Sequence, residues 1–278
     1  GSSCPHFMGD VDSDGLPDIC YLDGSIRAKT TRYPVPDLLS WVHNGLGGTH
    51  TLSYKPSSHD PNPRLPYVIQ TPASITTDDG NGVVSVTSYT YEGGEHSYAQ
   101  REFRGFMSVA QTLPSGLTIE TRYHQDEVKK GLPYLQRTLS PGGELLAKVE
   151  NTYNVVQVQG DEFGEVWFPF LETKTEFNFD GQTTPLRVRT HFEYDAYGNV
   201  TRRFFEGDLS VSQDEKTEKT SYVRDETNWI LSLPEVVSVY DPPDETTPLA
   251  RTRFEYVPGT TRVSTRTHML DTGPDPVW

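Results

Sequence analysis

The chain has 278 residues, of which 39 are acidic and 24 are basic, giving a formal net charge of −15. This charge disfavours binding to nucleic acid and to anionic membrane surfaces, since both require Lys and Arg to neutralise phosphate groups. No apolar run approaches the roughly 18–20 residues that a membrane-spanning helix needs, so no direct membrane insertion is expected. The 23 glycines and 21 prolines predict frequent turns, and the length allows one or two domains.

The first distinctive element is an acidic loop, Asp10-Val11-Asp12-Ser13-Asp14-Gly15-Leu16-Pro17-Asp18. Calcium prefers roughly six to eight oxygen ligands, which closely spaced carboxylates and a loop carbonyl can supply, and Gly15 permits the sharp turn that would gather them. It is not a full EF-hand, because Tyr21 stands where that motif has its last glutamate and no helix pattern flanks the loop. We predict a structural Ca²⁺ site with the ligands Asp10, Asp12, Asp14, Leu16 (through its carbonyl) and Asp18. The alternative is an acidic turn without an ion.

A change in composition follows this loop. Residues 1–45 contain the loop and a proline-containing connector, whereas the remainder is rich in strand-forming residues, so we predict a division into residues 1–45 and 46–278. Cys4 and Cys20 either form a disulfide in an oxidising compartment or are two unrelated small core residues. Helical patterns are short and are found only from Pro36 to His43 and from Leu145 to Glu150.

The rest of the chain has the pattern of many β-hairpins. Residues 56–66 and 241–248 are expected to be exposed loops, and Gln213 to Lys219 a solvated hairpin end. The predicted fold class is therefore all-β. Strand alternation, interrupted by Gly- and Pro-containing turns, predicts strands at Val83–Tyr91, Thr118–Tyr123, Thr173–Phe179, Leu186–Tyr194, Asn199–Phe205, Val236–Tyr240, Ala250–Tyr256 and Arg262–His268.

A weak internal repeat runs through these hairpins. Thr190-His191-Phe192-Glu193-Tyr194 is similar to Thr252-Arg253-Phe254-Glu255-Tyr256, and both lead through a Gly-containing turn into a Thr- and Arg-rich strand. Such repeats favour a sheet that grows by addition of hairpins, each burying a face only against its neighbours. An ordinary β-meander would give similar matches.

Catalytic motifs are absent from the sequence. The eight histidines form no HExxH pair, and neither a GxSxG elbow nor a phosphate-binding GxxxxGK[ST] loop is present. These motifs single out no catalytic residue, and we expect a protein that is not an enzyme. Two alternatives stay open: a glycan-binding module that stacks sugars on Trp167-Phe168-Pro169-Phe170 or Trp229, and a carbohydrate-active enzyme that uses two of the many carboxylates.

Several segments together resemble insecticidal toxin complex (Tc) B components and SpvB-like proteins. Asn44–Ser58 resembles their NGLG…YKPSS segment, Tyr89–Gly94 and Arg101–Phe106 resemble their YxYEGG…REFRGF signature, and Lys130–Tyr134 resembles their KGLP turn. Tyr194–Asn199 is similar to an RHS/YD repeat. The acidic loop is similar to the calcium loops of FG-GAP/VCBS repeats, which join strands in β-propeller blades.

The resemblance implies a structural part of a larger secreted protein. Residues 1–45 would be the end of a propeller blade, and residues 46–278 a TcdB-middle/RHS-like hairpin segment of a hollow shell. The shell would enclose a toxic polypeptide, and the partners would be the remaining parts of a longer chain, a Tc A-type pore component and a C-type RHS component. We expect structural roles in hairpin shape and packing for Tyr91, Phe103, Gly105, Phe106, Tyr194 and Gly198.

Overall fold

The computed structural model describes residues 6–22, 24–31, 35–161 and 164–269. It forms two compact units, residues 1–145 and 146–278. The described residues contain strands and one short 3₁₀ helix, Ser57–His59, but no α-helix, which confirms the all-β prediction. None of these residues belongs to a helix long and apolar enough to traverse a lipid bilayer.

The first unit begins with a three-stranded antiparallel sheet. Its strands β1 (His6–Gly9), β2 (Asp18–Leu22) and β3 (Ile26–Lys29) pair in chain order. The acidic loop joins β1 to β2, so that Gly9 and Asp18 are paired across the sheet and the loop between them must fold back on itself.

A second antiparallel sheet makes up most of the first unit. Its order is β12-β11-β10-β7-β6-β5-β4, and β8 pairs with β9 in a small hairpin that interrupts the path from β7 to β10. The strands are β4 (Trp41–His43), β5 (Thr49–Pro56), β6 (Gln70–Asp78), β7 (Val84–Glu92), β8 (His96–Ser97), β9 (Glu102–Phe103), β10 (Ser108–Thr112), β11 (Thr118–Tyr123) and β12 (Pro133–Leu139).

The second unit is an antiparallel meander whose strands are neighbours in chain order. The strands are β13 (Leu145–Asp161), β14 (Gly164–Asn178), β15 (Leu186–Tyr194), β16 (Val200–Asp208), β17 (Lys216–Asp225), β18 (Ile230–Tyr240), β19 (Ala250–Tyr256) and β20 (Val263–His268). All eight predicted strands coincide with observed ones, although β14 and β18 begin several residues earlier than predicted.

Few side chains are fully buried. Within the described ranges, the buried apolar side chains are Cys20, Tyr240 and Pro248, whereas seven polar or charged residues are buried, among them Asp18 and Thr217. Along β7 the apolar Val84 and Val86 are on the exposed side. The sheets therefore depend on strand pairing and cross-strand contacts more than on a closed apolar core.

Some sequence predictions were wrong. Trp41–His43 and Leu145–Glu150 are in strands β4 and β13, because pairing with β5 and β14 overrides a local helical preference. The charged stretch Gln213 to Lys219 enters β17, where Thr217 is completely buried. The predicted division at residue 45 lies inside the first unit, so the division and the assignment of residues 1–45 to a propeller end both stay predictions. Cys4 is outside the described residues, so its pairing with the buried Cys20 also stays a prediction.

Candidate functional site

Asp18 anchors the acidic loop at the start of β2, where its side chain has no exposed surface. A buried carboxylate is costly unless hydrogen bonds replace its water. The Val11 amide donates to Oδ2 and the Thr31 amide to Oδ1, both at 2.8 Å. These bonds, that from Val11 first, lower the pKa of Asp18. The charged side chain therefore ties the loop to the segment after β3.

Three of the predicted calcium ligands converge in this loop. Asp10, Asp12 and Asp18 each place a carboxylate oxygen within 4.8 Å of the others. Both oxygens of Asp10 also accept loop amides, from Asp14 at 3.1 Å and from Gly15 at 2.9 Å. These bonds fold the loop around the three carboxylates.

A fourth predicted ligand, Asp14, faces the loop backbone, and the loop carbonyls beside it contact the neighbouring sheet. Asp14 is not a member of the cluster, and its Oδ1 accepts the Leu16 amide at 2.7 Å. The Asp14 carbonyl accepts a hydrogen bond from Nε2 of Gln70 at 2.6 Å, and Ser58 Oγ donates one to the Ser13 carbonyl. The loop is thus docked on β6 and on the 3₁₀ helix, a contact that the sequence did not predict.

The loop 56–66 is not a simple exposed loop but carries a polar network. Asn62 accepts the Gly94 amide on Oδ1 at 2.7 Å and donates from Nδ2 to the Tyr91 carbonyl at 3.2 Å. Asp60 Oδ2 accepts the Tyr91 amide at 3.1 Å. The chain leaves the sheet at the end of β7, and side chains of the network form hydrogen bonds with the backbone groups there. Nothing in the local pattern around Asn62 had indicated this role.

An aromatic cluster lies beside this network and contains three of the six predicted packing residues, Tyr91, Phe103 and Phe106. The rings of Tyr91 and Phe106 are 5.0 Å apart, and those of Phe103 and Phe106 are 5.3 Å apart. Burial raises the pKa of Tyr91 to about 12. Gly94 is closely packed at this point, since a Cβ there would lie 3.1 Å from both Phe106 Cε1 and Asn62 Oδ1.

Gln125 joins the two halves of the YEGG…REFRGF signature. Its Nε2 donates to the Gly93 carbonyl at 2.7 Å and to the Gly105 carbonyl at 2.9 Å. Lys130, from the KGLP turn, pairs with Glu102 at 2.6 Å. The three sequence segments are therefore parts of one structural corner. Gln125 was missed because a single glutamine in a turn has no distinguishing pattern.

The Tyr194–Asn199 turn is built around Asp195. Its Oδ1 accepts the amides of Tyr197 at 2.9 Å and Asn199 at 3.0 Å. Asn199 Nδ2 donates to Asp195 Oδ2 at 3.0 Å and to the Leu231 carbonyl at 2.8 Å. The turn therefore closes one hairpin and also binds β18.

Two rings of the Trp167–Phe170 segment pack on this turn. Phe168 contacts the turn where a Cβ on Gly198 would lie 3.0 Å from Phe168 Cζ. The rings of Phe170 and Tyr194 are 5.3 Å apart. This confirms packing roles for Gly198 and Tyr194. Phe168 and Phe170, which belong to the segment considered for sugar stacking, make structural contacts within the chain.

The loop 241–248 is held by one carboxylate. Glu245 Oε1 accepts Arg202 Nη2 at 2.7 Å and Thr217 Oγ1 at 2.8 Å, and Oε2 pairs with Lys219 Nζ at 2.8 Å. These donors, Arg202 first, lower the pKa of Glu245 to about 2. The sequence pattern predicted only that this loop is exposed.

Comparisons with known proteins give one family match and several structural matches. A family model for the insecticide toxin TcdB middle/N-terminal region matches residues 2–132, slightly less than half of the chain. That range contains the acidic loop and the YEGG…REFRGF corner. No curated protein sequence matches the chain.

Solved Tc toxin structures share its fold. A crystal structure of TcdB2-TccC3-Cdc42 matches over 97% of this chain with a TM-score of 0.73 and 14% identity. One of TcdB2-TccC3 matches over 99% with a TM-score of 0.70 and 16% identity. The Photorhabdus luminescens Tc holotoxin pore with mutated TccC3 matches over 97% with a TM-score of 0.70 and 15% identity. The chain spans about a fifth of the matched chains: 20%, 19% and 20%, respectively.

Proposed function

We propose that this chain is a non-enzymatic wall segment of a secreted Tc B-type protein, and that the wall helps to enclose a toxic polypeptide. The observation that carries the proposal is the lack of a closed core, since the buried apolar side chains within the described ranges are only Cys20, Tyr240 and Pro248. Exposed apolar faces of this kind are typical of surfaces that further protein covers. A shell also leaves few free strand edges.

The comparisons support the placement in a longer chain. Residues 2–132 match the TcdB middle/N-terminal region, and the whole chain corresponds to about 20% of a matched Tc toxin chain. The remaining parts of such a chain would complete the wall. The RHS/YD character of Tyr194–Asn199, the FG-GAP character of residues 10–18 and the relation to SpvB-like proteins are parts of this proposal.

The proposed partners are a C-type RHS component and an A-type pore component. Support comes from the matched structures, which are TcdB2-TccC3 complexes and a Tc holotoxin pore. The C-type component would close the shell, and the pore component would receive the enclosed polypeptide.

We also propose that the acidic loop holds a structural Ca²⁺ ion. The donor set fits, since three carboxylates lie within 4.8 Å of one another and hard oxygen ligands are those that Ca²⁺ prefers. Within the described part of the chain, no Lys, Arg or His forms an ion pair with Asp10, Asp12 or Asp18. A cation would relieve their repulsion and hold the loop, with Asp14 and the Leu16 carbonyl as additional donors.

The size and partners of the native protein test the wall proposal. An antibody against this segment should detect, in source material, a product roughly five times the length of the chain, the ratio that 20% coverage implies. The same antibody should co-precipitate a C-type component. A product no longer than this chain, without such a partner, would reject the proposal.

Glycan binding is the second candidate, and one residue favours it. Trp229 is 76% exposed, so that its indole is open to a stacked sugar ring. Specific quenching of tryptophan fluorescence by a glycan, lost in Trp229→Ala, would support this function. A wall segment should show no such quenching.

A further inference from the structure

A β-bulge beside a tyrosine recurs throughout the chain. In six pairs of consecutive strands, a tyrosine of the first strand marks the position of the bulge. At that position the second strand has one extra residue. A bulge leaves backbone groups outside the regular ladder of hydrogen bonds. The six tyrosines are Tyr54, Tyr123, Tyr153, Tyr194, Tyr222 and Tyr256.

In the second unit, the hydroxyl groups connect each bulge to the next hairpin. Leu171 pairs with Tyr153, Val200 with Tyr194, and Pro234 with Tyr222. Each of these partner carbonyls accepts the hydroxyl of the next tyrosine: Tyr194 to Leu171 at 2.9 Å, Tyr222 to Val200 at 2.8 Å, and Tyr256 to Pro234 at 2.8 Å. We call these three bonds the tyrosine ladder, and each single bond a rung of it.

We propose that the tyrosine ladder sets the register in which each hairpin joins the sheet of the second unit. Side chains alternate between the two faces of a strand, so a slip of one residue would move every following side chain to the other face. A bulge also shifts the strand pairing by one residue, but it does so at a defined place. A hydroxyl bound to the carbonyl beside the bulge fixes that place, and makes Tyr194, Tyr222 and Tyr256 positioning residues of the wall.

The hydroxyl, more than the ring, is the common feature of the ladder. Tyr194 also packs on Phe170, whereas no ring-to-ring contact of Tyr222 or Tyr256 occurs within the described residues. All three side chains are half-buried. Their oxygen–oxygen distances of 2.8–2.9 Å are those of well-formed bonds, and partial burial shields such bonds from competing water.

Neighbouring rungs of the ladder share a residue pair. Val200 pairs with Tyr194 and accepts the hydroxyl of Tyr222, so loss of one rung alters the strand position that the next rung needs. Rungs that are not neighbours share no residue. The ladder therefore predicts energetic coupling between adjacent tyrosines and additivity between distant ones. This inference does not require an enclosed cargo, and it stands or falls separately from the proposed function.

Tyr222→Phe tests the ladder, because it removes the hydroxyl and keeps the ring. In the intact protein, hydrogen exchange measured by mass spectrometry should become roughly five- to tenfold faster in peptides that contain the Val200 bulge. Tyr197→Phe is the matched control, since the Tyr197 hydroxyl binds Glu226 at 2.7 Å and does not reach a strand carbonyl. Equal exchange in both variants would overturn the proposal.

Double variants test the coupling between rungs. Tyr194→Phe with Tyr222→Phe should change exchange by a factor that differs from the product of the single effects, whereas Tyr194→Phe with Tyr256→Phe should give that product. If Tyr222→Phe does not fold, Tyr256→Phe removes only the last rung and should accelerate exchange most strongly near Pro234. Unchanged exchange near Pro234, or equal coupling in the near and distant pairs, would contradict the ladder.

Discussion

At the scale of single residues, carboxylates with specific donors determine local structure. Asp18 is completely buried yet charged, because two backbone amides bind it. The spacing of the loop predicted that Asp10, Asp12 and Asp18 would meet. It could not predict that Asp14 turns towards the Leu16 amide, because the spacing of residues along the chain does not determine which way a side chain points.

The calcium site leads to a prediction for Asp12→Ala. This change removes one of the three clustered carboxylates, so it should abolish the rise in melting temperature that Ca²⁺ gives to the native protein. Asp37→Ala, which alters a carboxylate outside the cluster, is the control and should keep that rise. Melting curves in calcium and in chelator measure both. If native protein melts at the same temperature in the two conditions, the calcium proposal is wrong.

Glu245 leads to a prediction on pH dependence. Its pKa falls from an ordinary 4.5 to about 2 in the folded protein, so its stabilising effect is complete above the ordinary value and disappears as the pH falls through the folded value. Glu245→Gln should therefore lower the melting temperature by several degrees at pH 7 and make little difference near pH 2.

The control for this prediction is Glu144→Gln, an exposed residue whose carboxylate has no ion pair within the described residues. Melting curves at pH 7, 4 and 2.5 compare the two variants. A Glu245→Gln effect that stays constant with pH would show that the loop is not held by this charge.

At the scale of elements, close packing at turns decides which residues are tolerated. Gly94→Ala would place a Cβ 3.1 Å from Phe106 and Asn62, so we expect it to reduce the free energy of unfolding by about 1–3 kcal/mol. Gly142→Ala is the matched control, because its nearest neighbour is Ser140 Oγ at 3.6 Å. Denaturant unfolding measures both variants. Equal stability would mean that the corner of the YEGG…REFRGF signature tolerates a side chain.

Strand alternation was sufficient to predict strands such as Thr118–Tyr123, Leu186–Tyr194 and Ala250–Tyr256 at their observed bounds. Bulges were not predictable, because they depend on a partner strand that local sequence does not reveal. The helical expectation at Leu145 to Glu150 failed for a related reason: residues with good helix propensity are held in β13 by pairing with β14.

The tyrosine ladder was only partly visible in the sequence. The similarity of Thr190–Tyr194 to Thr252–Tyr256 identified two of its tyrosines. Tyr222 was missed because Thr220-Ser221-Tyr222 lacks the Phe-Glu-Tyr ending that the other two share. The intervals between the tyrosines also differ, since turns of different length separate the strands. A repeat of hydrogen bonds can therefore exist without a regular repeat of sequence.

At the scale of the whole molecule, the proposed wall explains why each unit exposes so much apolar surface. Large apolar side chains such as Val84, Val158 and Val166 are more than half exposed, which a free-standing protein would be expected to avoid over large contiguous areas. The sequence predicted the all-β class and the resemblance to Tc B components. It could not predict the open faces, because periodicity identifies two sides of a strand without showing what covers them.

Protection of the enclosed polypeptide is the most direct measurement of this account. The full-length protein, assembled with its C-type partner, should shield the toxic polypeptide at protease concentrations that degrade the same polypeptide when it is free. Mass spectrometry of the digests over time would record survival of the polypeptide. The account predicts survival until the shell itself is cut. Degradation of the assembled and free polypeptide at the same rate would contradict it.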